Sequence, residues 1–140
     1  MIKTEEIRFS SKGYCHIVNI TDEVAGKIRG SGINSGIVTI FTPSATSGLT
    51  TIEFEPGLIK DLPEFFEKIL PSGVPYHHDE TWNDGNGFSH MRSALIGPSV
   101  TVPFVDGEMT LGTWQNIVFL DFDNRNRSRR LIVQIMGEQE

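Results

Sequence analysis

Apolar and β-branched residues alternate with polar ones in short runs along most of the chain, which predicts strands. Two such runs, 36–43 and 48–56, are bounded by Gly and Pro and surround the turn "PSATSG". The segment "EEIRFSSKGYCHIVNI" alternates on both sides of Ser-Ser-Lys-Gly and therefore predicts a β-hairpin. Asp106-Gly107 between alternating runs predicts another. The most apolar runs, "TWQNIVFLDFD" and "RRLIVQIMGE", are expected to be central strands.

Three segments have the pattern of short helices. "TDEVAGKIRGSG" opens with Thr21 as a predicted N-cap, with acids in the first turn. "GLIKDLPEFFEKIL" has apolar residues at helical spacing; Pro63 either kinks this helix or lies in the first turn of one that begins near Asp61. "SHMRSALIG" ends at Gly97-Pro98. Because the strands come in hairpin pairs and do not alternate strictly with helices, the pattern predicts an α+β fold with mostly antiparallel strands.

Length and cysteine content narrow the class of protein. The 140 residues suit one domain over 1–140, and no apolar run approaches the length needed to cross a bilayer. The first ten residues mix charged and apolar side chains, unlike a signal or transit peptide. Cys15 is the one cysteine, so an internal disulfide is excluded. These features predict a cytoplasmic protein without a membrane partner.

The net charge of −6 argues against a nucleic-acid partner, which requires a surplus of Lys and Arg. The segment "NRNRSRR" (124–130) is a local exception with four arginines. It is either a solvated turn whose arginines protect a sheet edge or a patch that binds an anion such as phosphate. The sequence leaves both interpretations open.

The richest polar segment is "PYHHDETWNDGNGFSHMRSAL" (75–95), with three of the four histidines. In an extended segment His77 and His78 point to opposite faces, whereas a loop connects His78 to His90 and allows them to meet. Two imidazoles with a nearby carboxylate can bind a divalent metal, zinc or magnesium, or act as acid and base. The acidic candidates nearby are Asp79, Glu80 and Asp84. The spacing matches no regular metal motif, so a hydrogen-bonded polar loop is the alternative.

Several further residues are candidates for contacts with a phosphorylated small molecule. The turn residues Gly85, Asn86 and Gly87 permit close approach of backbone N–H groups to a ligand, and Arg92 follows them in the sequence. Ser44 lies in a hydroxyl-rich loop, Glu53 faces either solvent or a site as base or ligand, and Gln115 is either a hydrogen-bonding partner or a site residue. The predicted ligand-binding residues are Gly85, Asn86, Gly87, Arg92, Ser44 and Gln115.

Four segments together resemble the YjbQ family, often labelled secondary thiamine-phosphate synthase. They are "TTIEFEPGLIKDLP", "YHHDETWNDGNGFSHMRSALIGPSVTVPF", "DGEMTLGTWQNIVFLDFD" and "RRLIVQIMGE". The order of the "SH-x-R-x-x-L-x-GPS" motif, the Asp-Gly hairpin and "LGTWQ" is specific, and the resemblance covers about residues 36–138.

The resemblance implies an α+β fold with a mostly antiparallel β-sandwich and about three short helices. It also implies a homotrimer with polar sites near subunit boundaries and a weak ability to join a pyrimidine pyrophosphate to a thiazole phosphate. His78, His90 and Glu53 match residues of the family pattern, and with Asp79 they are the predicted catalytic residues. His78 and His90 are the predicted metal ligands. A trimeric metal- or metabolite-binding protein without catalysis is the alternative.

The chain departs from the family pattern at two positions. Ser44 and Phe88 stand where relatives have histidine. Two histidines and a carboxylate hold a metal less tightly than three histidines, so these departures predict a weaker metal site.

Overall fold

Among residues 1–139, which the computed structural model describes, eight strands and four helices are present. The strands are β1 (Ile2–Ser11), β2 (His16–Asn19), β3 (Ser35–Phe41), β4 (Ser47–Ile52), β5 (Ser99–Val105), β6 (Glu108–Met109), β7 (Asn116–Asp121) and β8 (Arg127–Glu138). The helices are α1 (Thr21–Ser31), α2 (Pro56–Ile69), α3 (His77–Trp82) and α4 (Gly87–Ile96). The predicted α+β class with mostly antiparallel strands is confirmed, with one helix more than expected.

The strands form two antiparallel sheets that share a core. The five-stranded sheet has the order β1-β8-β3-β5-β6 and the three-stranded sheet the order β2-β7-β4. In β8, Leu131, Val133 and Ile135 are buried while their neighbours point outward, as expected for a strand with one covered face. In β7, every residue from Ile117 to Asp121 is buried, because this strand is covered on both faces.

The two faces of β7 belong to two apolar clusters. Ile117 and Phe119 pack with the five-stranded sheet and α1. Val118 and Leu120 pack with Phe66 of α2. The molecule is therefore a sandwich with an additional helical layer over the three-stranded sheet, and β7 and β8 both lie inside their sheets as predicted. None of the helices in residues 1–139 combines the length and apolarity needed to span a bilayer.

The predicted hairpin between the first two strands is wrong. β1 pairs with β8, with Ile7 opposite Leu131, whereas β2 pairs with β7 in the other sheet. Gly13, Tyr14 and Cys15 between them all have positive φ, of 80°, 49° and 67°. This left-handed run turns the chain from one sheet to the other, where a tight hairpin would have kept it in one sheet.

Three other local predictions are resolved by the structure. The Asp106-Gly107 hairpin is confirmed: both residues have positive φ, of 52° and 80°, and they join β5 to β6. α2 begins at Pro56, capped by the Glu55 carboxylate, which accepts from two backbone N–H groups; Pro63 therefore lies inside the helix. Thr21 is the first residue of α1 and Ile20 its N-cap, so the predicted cap was displaced by one residue.

Candidate functional site

Helices α3 and α4 bring the rings of His78 and His90 into contact, with centroids 4.1 Å apart and planes inclined by 42°. The segment around His77 and His78 is helical and not extended, but the first of these rings still lies fully in solvent. Asn83 and Gly85, with φ of 55° and 68°, turn the chain between the two helices. The predicted meeting of His78 and His90 is what the structure shows.

The Asp79 carboxylate fastens this arrangement. Its two oxygens accept from the backbone N–H groups of Tyr76 at 3.1 Å and Gly87 at 3.0 Å, which ties the start of α3 to the start of α4. A Cβ at Gly87 would lie 2.5 Å from the Cβ of Tyr76, so only glycine allows this approach. Asp79 thus holds the helices that carry the histidines, with both carboxylate oxygens engaged by backbone groups.

A carboxylate and an amide lie beside the imidazoles. Asp84 Oδ1 is 3.7 Å from His78 Nε2. The Asn86 amide has two orientations: in one its nitrogen donates to both Asp84 oxygens, at 2.9 and 3.1 Å, and lies 3.2 Å from His78 Nε2. In the other its nitrogen donates to Asp123 Oδ1 at 3.4 Å. The two orientations exclude each other, so the Asn86 nitrogen donates either toward Asp84 and His78 or toward Asp123.

The environment of His90 favours its neutral form. Burial lowers the pKa of His90 below its ordinary value of 6.5, and the nearby charge of His78 lowers it further, while Asp84 and Asp123 act in the opposite direction. At neutral pH the ring therefore offers a lone pair, which can accept a proton or bind an electrophile.

Two buried aspartates, Asp121 and Asp123, were missed from the sequence, and Asp123 is close enough to the histidine pair to affect the pKa of His90. Burial alone would raise the pKa of Asp123, but hydrogen bonds from the Asn124 N–H, Arg127 and Asn86 outweigh burial and lower it. Arg127 Nε lies 2.7 Å from Asp123. Asp121 accepts from Ser11 and from Arg129.

A signal for these aspartates was present in the sequence. "DFD" interrupts the most apolar strand, and Arg127 and Arg129 follow with the same spacing of two. Buried carboxylates require charged or hydrogen-bonding partners, and the nearby arginines supply them. Arg127 and Arg129 are therefore internal ion-pair residues, whereas the turn residue Arg125 is exposed as the solvated-turn interpretation expected.

Among residues 1–139 the side chains at this site fall short of a set of metal ligands. In the described chain, residues 1–139, no group of three or more His, Cys, Asp or Glu side chains is arranged to hold a metal ion. Zinc in proteins usually has three or four protein ligands. His78 and His90 supply two nitrogens, and Ser44 is hydrogen-bonded to Arg129 and to the Thr46 N–H.

Glu53 and Gln115 lie at the far end of β4 from the histidine pair. Ser47, at one end of β4, pairs with Asp121, and Ile52, at the other end, pairs with Asn116. Five residues of strand separate these ends by roughly 16 Å. Glu53 is exposed just beyond the second end, where Gln115 donates to Thr51 Oγ1 at 3.1 Å. Within one chain the structure does not bring these two residues to the histidines.

Arg92 is buried among internal partners. Its Nε donates to the Leu70 carbonyl at 3.0 Å and its Nη2 to Glu67 at 2.8 Å. The guanidinium also lies over the rings of Phe88 and Phe66, at 4.9 and 5.7 Å from their centroids. These contacts join α4 to α2, and they engage the guanidinium that we expected to be available to a phosphate.

Comparisons with known proteins agree on one family. Residues 5–138 match the family described as "UPF0047 protein YjbQ-like". A UPF0047 protein of Archaeoglobus fulgidus is 39% identical over 94% of this chain and 99% of its own length. The UPF0047 protein YugU of Bacillus subtilis is 33% identical over 98% of this chain and all of its own length.

Solved structures give the same result. A YbjQ-like protein of Sulfolobus solfataricus superimposes with a TM-score of 0.88 at 27% identity and covers 99% of this chain and 100% of its own. A YjbQ/UPF0047 family protein of Clostridium acetobutylicum gives a TM-score of 0.82 at 32% identity, covering 93% of this chain and 99% of its own. The likeness therefore extends over sequence and fold together.

Proposed function

Because the chain belongs to the UPF0047 YjbQ-like family, we propose that it is a small-ligand enzyme in which His78 and His90 form an acid/base pair. The observation that carries the proposal is the contact of the two rings at 4.1 Å, with one of them kept neutral by its surroundings. Adjacent imidazoles in different environments can exchange roles as proton donor and acceptor near neutral pH.

The surrounding residues suggest which histidine accepts a proton and which donates one. His90, with its lowered pKa, is the neutral member of the pair and the one that can accept a proton. His78, whose Nε2 lies 3.7 Å from Asp84 Oδ1, is the partner that donates a proton. Asn86 orients His78, and Asp79 acts indirectly by fastening α3 to α4.

The reaction that the family resemblance suggests is the joining of a pyrimidine pyrophosphate to a thiazole phosphate. In that reaction the thiazole nitrogen bonds to the pyrimidine methylene carbon, and the carbon–oxygen bond to pyrophosphate breaks. Neither substrate loses a proton in this bond change, so the part of the histidine pair here is to donate a proton to the departing pyrophosphate. A phosphorylated ligand needs positive charge, yet Asp84 and Asp123 make the surroundings of the histidines acidic. A divalent cofactor stays a prediction, to be tested by elemental analysis of wild type, His78→Ala and His90→Ala.

Product formation from the two substrates by purified protein is the direct test. We expect His78→Ala and His90→Ala to lower the rate by about a hundredfold or more, because a lost acid or base usually has that effect. His77→Ala is the matched control, since this neighbouring ring is fully exposed. A rate that is equal in all three variants would refute the acid/base pair.

A second candidate is a homotrimer that binds a metal or metabolite without catalysis. The outer face of the five-stranded sheet supports an assembly, since Ile37, Phe41 and Met136 are 36–47% exposed there. Exposed apolar sheet faces are typical of subunit contacts. Sedimentation of wild type and Phe41→Ser tests this: a monomeric wild type would contradict it.

A further inference from the structure

The outer face of the five-stranded sheet carries four donor side chains in a square. In the register of β1 with β8, Arg8 lies opposite Arg130 and Ser10 opposite Ser128. All four are exposed. Paired side chains are about 5 Å apart across the strands and successive pairs about 7 Å apart along them. Two guanidiniums and two hydroxyls therefore face the same small volume.

Like charges in directly opposed positions destabilise a sheet unless something compensates them. Glu6 provides the compensation: its carboxylate lies 2.8 Å from Arg8 and 3.3 Å from Arg130. One carboxylate between two guanidiniums leaves one positive charge in excess. Exposed ion pairs contribute little stability, so a ligand with more negative charge can displace Glu6.

A cavity of about 550 Å³ opens beside these donors. Thr42, Pro43 and Ser44 form its other side. Arg129 reaches the same cavity, where its Nη1 donates to Ser44 Oγ at 2.9 Å. The hydroxyls of Ser10 and Ser128 make no hydrogen bond to any side chain or backbone group within residues 1–139, so both can donate to a ligand.

We propose that this cavity binds the phosphate group of a small molecule, through Arg8, Arg130, Ser10 and Ser128. Guanidinium groups recognise phosphate oxygens through paired, charge-assisted hydrogen bonds, and a dianion neutralises the excess charge better than one carboxylate does. The volume suits a small ligand, whereas a nucleic acid would meet the net charge of −6. This site contains neither His78 nor His90, so the inference is independent of the proposed function.

Calorimetric titration at low salt tests the site with two probes, inorganic phosphate and phenyl phosphate. We expect saturable binding, weakened about tenfold or more in Arg8→Gln and in Arg130→Gln, since each loses a charge-assisted contact. Glu6→Gln should bind more tightly by about threefold or more, because the competing carboxylate is gone. Stronger binding of phenyl phosphate would indicate a phosphomonoester; equal binding would indicate free phosphate.

Arg29→Gln is the control for the loss of one positive charge, because this arginine is exposed on α1 and lies outside the cavity. It should change the affinity by less than about twofold. The proposal is overturned by absence of saturable binding at millimolar phosphate, by an equal loss in Arg29→Gln, or by unchanged affinity in Glu6→Gln. Tighter binding of a single-stranded RNA than of phenyl phosphate would also overturn it. His78→Ala and His90→Ala should leave phosphate affinity unchanged, so either proposal can fail without the other.

Discussion

Arg129 of the five-stranded sheet forms a two-pronged ion pair with Asp121 of the three-stranded sheet. Its Nε and Nη2 each lie 2.8 Å from a different carboxylate oxygen. The pair thus bridges the two sheets at the edge of the core, and Asp121 is fully buried there. Burial of a carboxylate is tolerated only while its partner is present.

Arg129→Ala should therefore lower the free energy of unfolding by about 3–5 kcal/mol, because it leaves the Asp121 carboxylate buried without its counter-ion. Urea denaturation followed by circular dichroism measures this. Arg125→Ala, in the exposed turn before β8, should change stability by less than about 0.5 kcal/mol. Equal effects of the two substitutions would show that the ion pair does not stabilise the sandwich.

The pKa of His90 should rise toward 6.5 in His78→Ala, because one cause of its lowering is the neighbouring imidazole charge. Burial is the larger cause, so the pKa of His90 should stay below 6.5 in this variant. NMR titration of the ring resonances measures the pKa, and His77→Ala, which removes only an exposed ring, should leave it unchanged. A His90 pKa that is the same in His78→Ala and wild type would contradict the coupling.

The same shift makes stability depend on pH. Because the pKa of His90 is lower in the folded chain, the unfolded chain binds more protons between that lowered pKa and 6.5. The contribution of His90 is therefore intact above about pH 6.5 and is lost as the pH falls through this window. His90→Gln should therefore make the free energy of unfolding, measured by urea denaturation across this pH window, less dependent on pH. An unchanged pH dependence in His90→Gln would argue against a contribution from His90.

Cys15 should react slowly with thiol reagents while the protein is folded. Burial raises the pKa of its thiol from 9.0 to about 12, only partly opposed by the charge of Arg92. The thiolate is the reactive form, so about a thousandfold less of it is present than in the unfolded chain at pH 8. Iodoacetamide labelling with and without urea measures the ratio, and similar rates in both states would contradict the burial of this side chain.

Arg92→Lys should destabilise the protein by about 1–3 kcal/mol. Lysine keeps the charge but loses the planar group that contacts the Leu70 carbonyl, Glu67 and the Phe88 ring together. Thermal denaturation measures this, with the exposed Arg29→Lys as control. If Arg92→Lys left stability unchanged and weakened ligand binding, Arg92 would be a ligand residue, as the sequence had suggested.

Local signals in the sequence predicted the local structure well. Asp106-Gly107 requires positive φ at both positions, so the hairpin between β5 and β6 could be read directly. The partner of β1 could not be predicted from the sequence, because β8 lies some 120 residues away and any apolar alternating strand would pair with β1 equally well. α3 was missed because its six residues carry no apolar stripe and are held by Asp79.

The parts of the candidate site that depend on local sequence were predictable, and the parts that depend on distant elements were not. His78 and His90 are rare residue types in one polar segment, so their meeting could be anticipated. Asp123 follows an apolar strand in the sequence, and nothing in that pattern shows its role, which depends on Asn86 and Arg127 from other elements. Glu53 lies in a plausible strand, but only the direction of β4 decides which end of the sheet it occupies.

The length of β4 separates the molecule into two chemically independent ends. Ser47 pairs with Asp121 and its carbonyl accepts from Ser93 of α4, whereas Ile52 leads to Glu53 and Gln115. Side chains that far apart rarely influence one another, so double substitutions with one change at each end should have additive effects. Evolution, or an engineer, can therefore alter the chemistry of one end while leaving the other as it is.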